Sequence, residues 1–356
     1  MEISIQIKPL KNKILKINNL NKFHVKHNCM KILLVRLSSM GDLIHTFPAI
    51  EDLAKHRPDI ELHWLCEEGF SDIAKLHPFV KKIHKMSWRK WRKDLHLRQT
   101  WQEIGCLKFD LKQEQFDFVL DSQGLIKSAV FAKMANAPVY GFDKNSIREK
   151  LASVFYSKSY SVSKNQNAVL RNRQLFSKVF EYGLSESELQ IFGLSIPAEV
   201  SLNGLNHPYC VMLHASSKDS KLWPIENWKQ LLKTIYADKG ISAYLPWGNS
   251  KEKERAEQIA EGLQFAVVCE KMNLLQAAFL LKNAQGVIGV DTGLLHLANA
   301  LDCPVVGIYT DTDPMKTGVQ VSEYAKNVGN IGNIPEVDEV YRGIFECISA
   351  KRLKNK

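Results

Sequence analysis

Several short stretches carry residue types suited to chemistry on an anionic substrate. In L-S-S-M-G-D, residues 37–42, Gly41 permits close backbone approach, and Ser38 and Ser39 place hydroxyls and amide donors at a predicted helix start. Asp42 would then sit at the mouth of the cleft, where a lone carboxylate is a weak catalytic signal. The plainer reading is a helix capped by Ser39, with Asp42 favoured by the dipole of the first turn, and residue types alone do not choose between the two. In D-T-G-L-L-H, residues 291–296, Asp291, Thr292 and Gly293 end a predicted strand and open a helix, with His296 four residues after Thr292. Amides there can hold a pyrophosphate, and His296 can support developing phosphate charge; a tight turn with a buried, satisfied histidine is the competing reading. The D-T-G triplet also occurs in aspartic proteases, but on a β loop, which the strand-to-helix setting excludes.

Two further loops belong with these. Lys221 in S-S-K-D-S-K-L-W-P can neutralise a phosphate as a point charge or be an ordinary surface lysine. In P-W-G-N-S-K-E, Glu252 can recognise a ribose, or pair with Asn249 as a capping box. Residues 81–98, K-K-I-H-K-M-S-W-R-K-W-R-K-D-L-H-L-R, set eight basic residues against one acid and interleave Trp88 and Trp91. That mixture suits an anionic membrane interface or stacked bases, against the plain alternative of a solvated basic helix.

The elements that must position these residues alternate. Lys31–Leu37 is predicted as a buried strand, 42–55 as a helix, Ile60–Leu65 and Phe116–Leu120 as strands and Leu125–Ala135 as a helix. After a looser region near 185–208 the pattern restarts. Strands are predicted at Tyr209–His214, Ile241–Leu245, Gly286–Val290 and Val305–Tyr309, with helices at 224–236, 250–263 and 337–353. This is the pattern of an α/β protein with two doubly wound parallel sheets, whose ligands bind beyond the carboxyl ends of the strands. The expected division is a basic prefix 1–29, an N-terminal domain 30–190, a linker 191–207, a C-terminal domain 208–335 and a final helix 336–356 packing back towards the N-terminal domain.

With 356 residues, 45% hydrophobic and 24% charged, the chain is too long for one compact core and too apolar for a disordered chain. Its net charge of +10 is unevenly spread. Residues 1–29 hold six lysines and one acid, for +5, and residues 81–98 contribute +7, leaving the remainder at −2. The prefix has no sustained period and is expected to be unstructured; Met30, directly before K-I-L-L-V-R-L, is a second possible start of translation. Seven scattered cysteines without a C-x-x-C pair point to a reducing compartment and no zinc site. Neither a membrane-spanning run nor a signal-type apolar core is present, so a soluble, non-exported protein is expected. G-x-G-x-x-G, G-x-x-x-x-G-K-[ST] and H-E-x-x-H are all missing, which disfavours a standard dinucleotide fold, a P-loop NTPase and a zincin.

Taken together, M-K-I-L-L-V-R-L-S-S-M-G-D-L-I-H-T-F-P-A (30–49), E-E-G-F (67–70), W-R-K-W-R-K (88–93), D-S-Q-G-L-I-K-S-A (121–129), L-P-W-G (245–248) and D-T-G-L-L-H (291–296) resemble the ADP-heptose transferases of glycosyltransferase family 9. The resemblance runs from Met30 to about the C-terminus. S-S-M-G-D and W-R-K-W-R-K point to the branch that adds the first heptose of the lipopolysaccharide core rather than the second. It implies a GT-B fold of two Rossmann-like domains and inverting transfer of L-glycero-D-manno-heptose from ADP-heptose to the inner Kdo of Kdo2-lipid A. Asp42 is then the general base. Donor binding falls to Ser216, Ser217, Lys221, Glu252, Met272, Asp291, Thr292, Gly293 and His296, with serines where threonines are often seen at 216 and 217. Acceptor binding falls to Arg89, Lys90, Arg92, Lys93, Lys127 and Arg148, with Trp88 and Trp91 near the lipid. No metal or other cofactor is implied, and none of the partners is a nucleic acid; the setting is the cytoplasmic face of the inner membrane, held peripherally. A transferase acting further out on the core, and more remotely a non-catalytic nucleic-acid-binding protein, are the alternatives.

Overall fold

The computed structural model describes residues 29–354 apart from 185–190, 207 and 321. The expectations for residues 1–28 lie outside the described residues.

The N-terminal domain opens with β1 (Met30–Val35), whose Ile32, Leu33, Leu34 and Val35 are wholly buried, as a parallel strand covered on both faces requires. It continues through α1 (Met40–Ile44), α2 (Phe47–His56), β2 (Ile60–Glu67), α3 (Ser71–Ala74), β3 (Val80–Met86), α4 (Trp88–Trp91) and α5 (Arg98–Gln113). β4 (Phe118–Asp121), α6 (Ile126–Lys133), β5 (Val139–Phe142), β6 (Lys158–Tyr160) and α7 (Ala168–Phe180) complete it. The six strands are parallel in the order β3-β2-β1-β4-β5-β6. The strand order reverses at β1, so the crevice between the loops after β1 and β4 is the position at which an α/β sheet binds ligands.

The C-terminal domain repeats the design with β7 (Tyr209–Leu213), α8 (Ile225–Lys239), β8 (Ser242–Leu245), α9 (Ser250–Ala260), β9 (Ala266–Val268) and α10 (Leu274–Lys282). There follow β10 (Gly286–Val290), α11 (Gly293–Ala300), β11 (Val305–Tyr309), α12 (Pro314–Thr317), β12 (Ala325–Gly329) and α13 (Val337–Lys354). Its parallel order, β12-β11-β10-β7-β8-β9, puts the switch point at β7 and β10, the strands that feed the S-S-K-D-S-K and D-T-G-L-L-H loops. The domains meet where α1 packs on α11 and α3 on α10, and one apolar cluster runs from Ile44 and Phe47 across to Leu295 and Leu297.

Four expectations are corrected. The helix predicted over 42–55 is two helices: α1 ends at Ile44 and α2 restarts at Phe47, with Pro48 in its first turn, where a missing amide hydrogen costs nothing. The basic segment 81–98 begins as strand β3, then forms the single turn α4. Among the described residues the main contacts of the final helix are within its own domain: α13 lies on α8, β10, β11 and β12, burying Val340, Ile344, Cys347 and Ile348 on its own sheet. The linker expected at 191–207 is still tied to the N-terminal domain at its start, where Phe192 is buried and the Ser195 amide donates to the Leu76 carbonyl at 2.7 Å.

Candidate active site

The loop leaving β1 carries Asp42 into the joint between the domains. Oδ2 of Asp42 accepts hydrogen bonds from the Ser39 amide at 3.0 Å and the Ser39 hydroxyl at 3.1 Å, and Oδ1 lies 3.5 Å from Nη2 of Arg36. The helix-capping reading of Asp42 is therefore realised, and it fixes the carboxylate for other work as well. Burial pushes its pKa up, but the Arg36 guanidinium and the Ser39 bonds outweigh this and hold it below the usual carboxylate value.

Arg36 is in turn held by the D-S-Q-G turn. Nη1 of Arg36 donates to the Ser122 carbonyl, and the Leu37 amide donates to Oε1 of Gln123 at 2.6 Å. The turn is ordered by Asp121, wholly buried, which accepts from the Gln123 and Gly124 amides and from the hydroxyls of Ser128 and Tyr156, the latter two at 2.8 Å each. In the base role that the resemblance implies for Asp42 the carboxylate must be ionised, so a depressed pKa would keep the acid limb of kcat/KM low in pH. Arg36→Met removes the largest lowering influence while burial remains, and the limb is expected to move to higher pH; an unchanged pH profile would mean that Arg36 does not tune Asp42.

Across the joint, the loop after β10 presents a charged group. Oδ2 of Asp291 accepts from Nζ of Lys221 at 2.6 Å and from Oγ1 of Thr312 at 3.0 Å, while Nε2 of His296 lies 3.9 Å from its Oδ1. Burial would raise the Asp291 pKa; His296, Lys221 and Thr312 together hold it at about 2. The Ser216 hydroxyl donates to the Asp291 carbonyl at 2.8 Å, which ties the β7 and β10 loops together. Thr292 caps α11 in extended conformation, so the first amides of that helix lack intrahelical acceptors and form an anion-binding end. Gly293 is required by close approach: a Cβ there would stand 2.7 Å from Sδ and 2.8 Å from Cβ of Met40 on α1. His45 meets His296 edge-on, ring centroids 4.8 Å apart, and burial, with His296 second, depresses its pKa to about 3, leaving the imidazole neutral.

Beside these groups lies a cavity of 390 Å³, walled by Met40 and Phe70 from one domain and by Ser216, Ser217, Met272 and Thr292 from the other. Trp247, anchored by an Nε1 bond of 2.7 Å to the Cys269 carbonyl, and Leu274 add an apolar wall suited to a flat base. Glu252 also borders the cavity, but its carboxylate is engaged by the Gly248 amide and the Asn249 side chain, both at 2.7 Å, so its capping role is real.

The acceptor-side expectations divide. Arg89 stacks over Phe70, a residue of the cavity wall, at 4.9 Å, and Nζ of Lys127 reaches Oγ of Ser38, in the loop that carries Asp42, at 3.3 Å. Arg92, Lys93 and Arg148 are exposed, whereas Lys90 is turned aside to Glu103 at 2.9 Å. The tryptophans turn towards the protein's own interior instead of standing exposed as a lipid contact requires, Trp88 half-buried and Trp91 buried. Trp91 is buried beside Phe131, its Nε1 bonded to Glu103, and Trp88 meets Phe131 edge-on, because the single turn α4 folds its apolar side over the back of the first sheet.

A family model described as glycosyltransferase family 9 (heptosyltransferase) matches residues 104–343. The chain belongs to glycosyltransferase family 9. Lipopolysaccharide heptosyltransferase 1 of Escherichia coli K12 is 38% identical over 304 residues, covering 84% of this chain and 92% of its own length. The protein of the same name from Pseudomonas aeruginosa is 40% identical over 290 residues, 81% of each chain. The solved structure of E. coli heptosyltransferase WaaC with ADP superposes with a TM-score of 0.82 at 35% identity, over 89% of this chain and all of that one, so the two sheets have the GT-B arrangement. E. coli heptosyltransferase II, at 20% identity and a TM-score of 0.68 over 92% of this chain and all of that one, shares the fold. In this family 9 chain, Arg36, Gln123, Asp121 and Trp247 were missed from sequence as site residues. A buried Asp in D-S-Q-G and a basic residue ending β1 were the only signals for the first three.

Proposed function

We propose that this family 9 enzyme transfers L-glycero-D-manno-heptose from ADP-heptose to the inner Kdo of Kdo2-lipid A, with inversion. One observation carries the proposal: the α1–α11 contact, with His45 against His296, sets the Asp42 loop of one domain facing the Lys221–Asp291–His296 group of the other, beside a cavity that Met40 and Thr292 of those same loops help to line. The acceptor hydroxyl attacks the anomeric carbon as Asp42 takes its proton, and the bond to the diphosphate breaks in the same displacement, so no covalent enzyme intermediate is needed. Charge left on ADP is met by Lys221, the hydroxyls of Ser216 and Ser217 and the amide end of α11. These groups make a metal unnecessary for leaving-group stabilisation. Retention of configuration in the product, read by NMR, would overturn the single-displacement reading.

A transferase acting further out on the core is the nearest rival. The relatives named heptosyltransferase 1 match far better than heptosyltransferase II, which favours the first addition. A nucleic-acid-binding role leaves the Lys221–Asp291 pair and its cavity without a purpose.

The acceptor is polyanionic, and Arg89, Lys127 and Arg148 supply cations around the catalytic loop. Neutralising Arg89, Lys90, Arg92 and Lys93 together is expected to raise the acceptor KM by roughly tenfold or more, the loss of one or two charge-assisted contacts, and to leave ADP affinity unchanged. A defect confined to ADP binding would contradict this assignment.

A peripheral position on the cytoplasmic face of the inner membrane goes with such an acceptor. Among the described residues no helix is long and apolar enough to cross a membrane. Support for surface docking comes from Leu151 and Val154, 69% and 80% exposed, on the turn that packs against α6, whose Ile126 and Val130 are also exposed. Lys127, Arg148 and Lys150 lie along the same two segments. Leu151→Asp with Val154→Asp is expected to cut retention on anionic vesicles by about tenfold or more while sparing ADP affinity, since each buried aliphatic side chain contributes about 1.5–3 kcal/mol. Equal vesicle binding by the double variant would remove this patch from the membrane contact.

A further inference from the structure

Away from the cleft, at the outer edge of the first sheet, three side chains of metal-binding type converge. His63 on β2 and His84 on the edge strand β3 are both buried, with Nδ1 of His63 and Nε2 of His84 3.1 Å apart. Oε2 of Glu114, just beyond α5, lies 3.8 Å from the same Nδ1, and all three ligand atoms fall within 4.8 Å of one another. Ligands on a tetrahedral zinc ion, bound at about 2.0–2.1 Å, stand roughly 3.3 Å apart, so small shifts bring these atoms into register. Nε2 of His63 pairs with Oε1 of Glu61 at 2.8 Å, which fixes the ring and turns the Nδ1 lone pair inward. His84 and Glu114 line an open cavity of 810 Å³ that also reaches Lys90, Trp91 and Glu103, giving an ion a route of entry and a free coordination position.

We propose that His63, His84 and Glu114 form a binding site for a divalent transition-metal ion of the zinc type, separate from the catalytic cleft. Without the ion, one imidazole donates its proton to the other. When the ion enters, His84 moves its proton from Nε2 to Nδ1 by exchange with solvent, freeing both facing lone pairs with no net proton release. Selectivity follows from charge. Lys31 binds Glu61 and Glu114, and Lys82 binds Glu114, so two ammonium groups offset the two carboxylates. A site without net negative charge favours imidazole-seeking ions and rejects Mg²⁺ and Ca²⁺, which require several hard oxygens. The bound ion would brace β2, β3 and the end of α5, the frame that carries α4 and Arg89.

The test is calorimetric titration of the full-length, chelator-stripped protein with Zn²⁺ and, separately, Mg²⁺. Zn²⁺ is expected to bind at a site that His84→Ala weakens on the order of tenfold or more, with no saturable Mg²⁺ binding. Reading the difference between wild type and variant cancels any ion taken by His24, His27 or Cys29. Zn²⁺ affinity equal in wild type and His84→Ala, or no Zn²⁺ binding at all, overturns the proposal. Should His84→Ala fail to fold, Lys82→Ala decides, because it alters only an exposed side chain: tighter Zn²⁺ binding supports the site and unchanged affinity refutes it. Turnover is expected to survive EDTA, because the ion stands outside the cleft; loss of turnover in EDTA that Zn²⁺ restores would overturn the separation of the two sites.

Discussion

Asp42→Asn is expected to lower kcat by about 10²–10⁴ while leaving ADP affinity close to that of the wild type, because it removes the proton acceptor and keeps the shape of the side chain. The amide oxygen of asparagine can still accept from the Ser39 amide, which now binds Oδ2 at 3.0 Å, so the cap that starts α1 survives. Asp42→Ala would confuse two effects, since loss of a cap costs about 1 kcal/mol of stability by itself. A carboxylate held low by Arg36 is always ionised at neutral pH yet is a weak base. Burial is the largest influence on Asp42 and acts in the opposite direction, so an acceptor that excludes water from the cleft strengthens the base when it is needed. A fall in ADP affinity matching the fall in kcat would place Asp42 in donor binding instead.

Lys221→Ala carries the second large effect. Lys221 and Asp291 are both mostly buried and 2.6 Å apart, so removing the ammonium deletes a cation beside the departing diphosphate and exposes that diphosphate to an unpaired carboxylate. A loss of about 10²–10³ in kcat and about tenfold or more in ADP affinity is expected. The pair should behave as a unit. Adding Asp291→Asn to Lys221→Ala relieves the unpaired negative charge and is expected to recover part of the ADP affinity without recovering kcat. If the double variant binds ADP no better than Lys221→Ala, the carboxylate is not facing the diphosphate.

How far such a site can be read from sequence depends on what each signal measures. Gly286–Val290 and Val305–Tyr309 are continuous apolar runs bounded by turn residues, and every residue in them is buried, so the strands fall on the predicted residues. β3 was hidden because it is an edge strand: Lys81, Lys82 and Lys85 face solvent and protect the edge from pairing, and that run of charge masks the strand pattern. Trp91 was misplaced for a related reason. Its basic neighbours advertise a surface, but one turn of helix puts Arg89 and Lys90 outward and Trp91 inward against Phe131. Asp42, Lys221 and Asp291 could be singled out as candidates because loop chemistry at strand ends is local, but their roles came from the resemblance and not from the residue types. Arg36 could not be, since its role depends on the carbonyl of Ser122, which only the β1–β4 pairing brings near. Missed strands such as β5, β6 and β9 are only three or four residues long, and their existence follows from the sheet, whereas α7, capped by Asn167 and burying Val169, Arg173, Phe176 and Phe180 at helical spacing, carried its own signal.

The most direct measurement is product mass after incubating the full-length protein with ADP-heptose and either Kdo2-lipid A or the same acceptor already carrying its first heptose. A gain of one heptose on Kdo2-lipid A, with release of ADP and no gain on the heptosylated acceptor, is the expected result. Transfer only to the heptosylated acceptor, or to neither, would contradict the assignment.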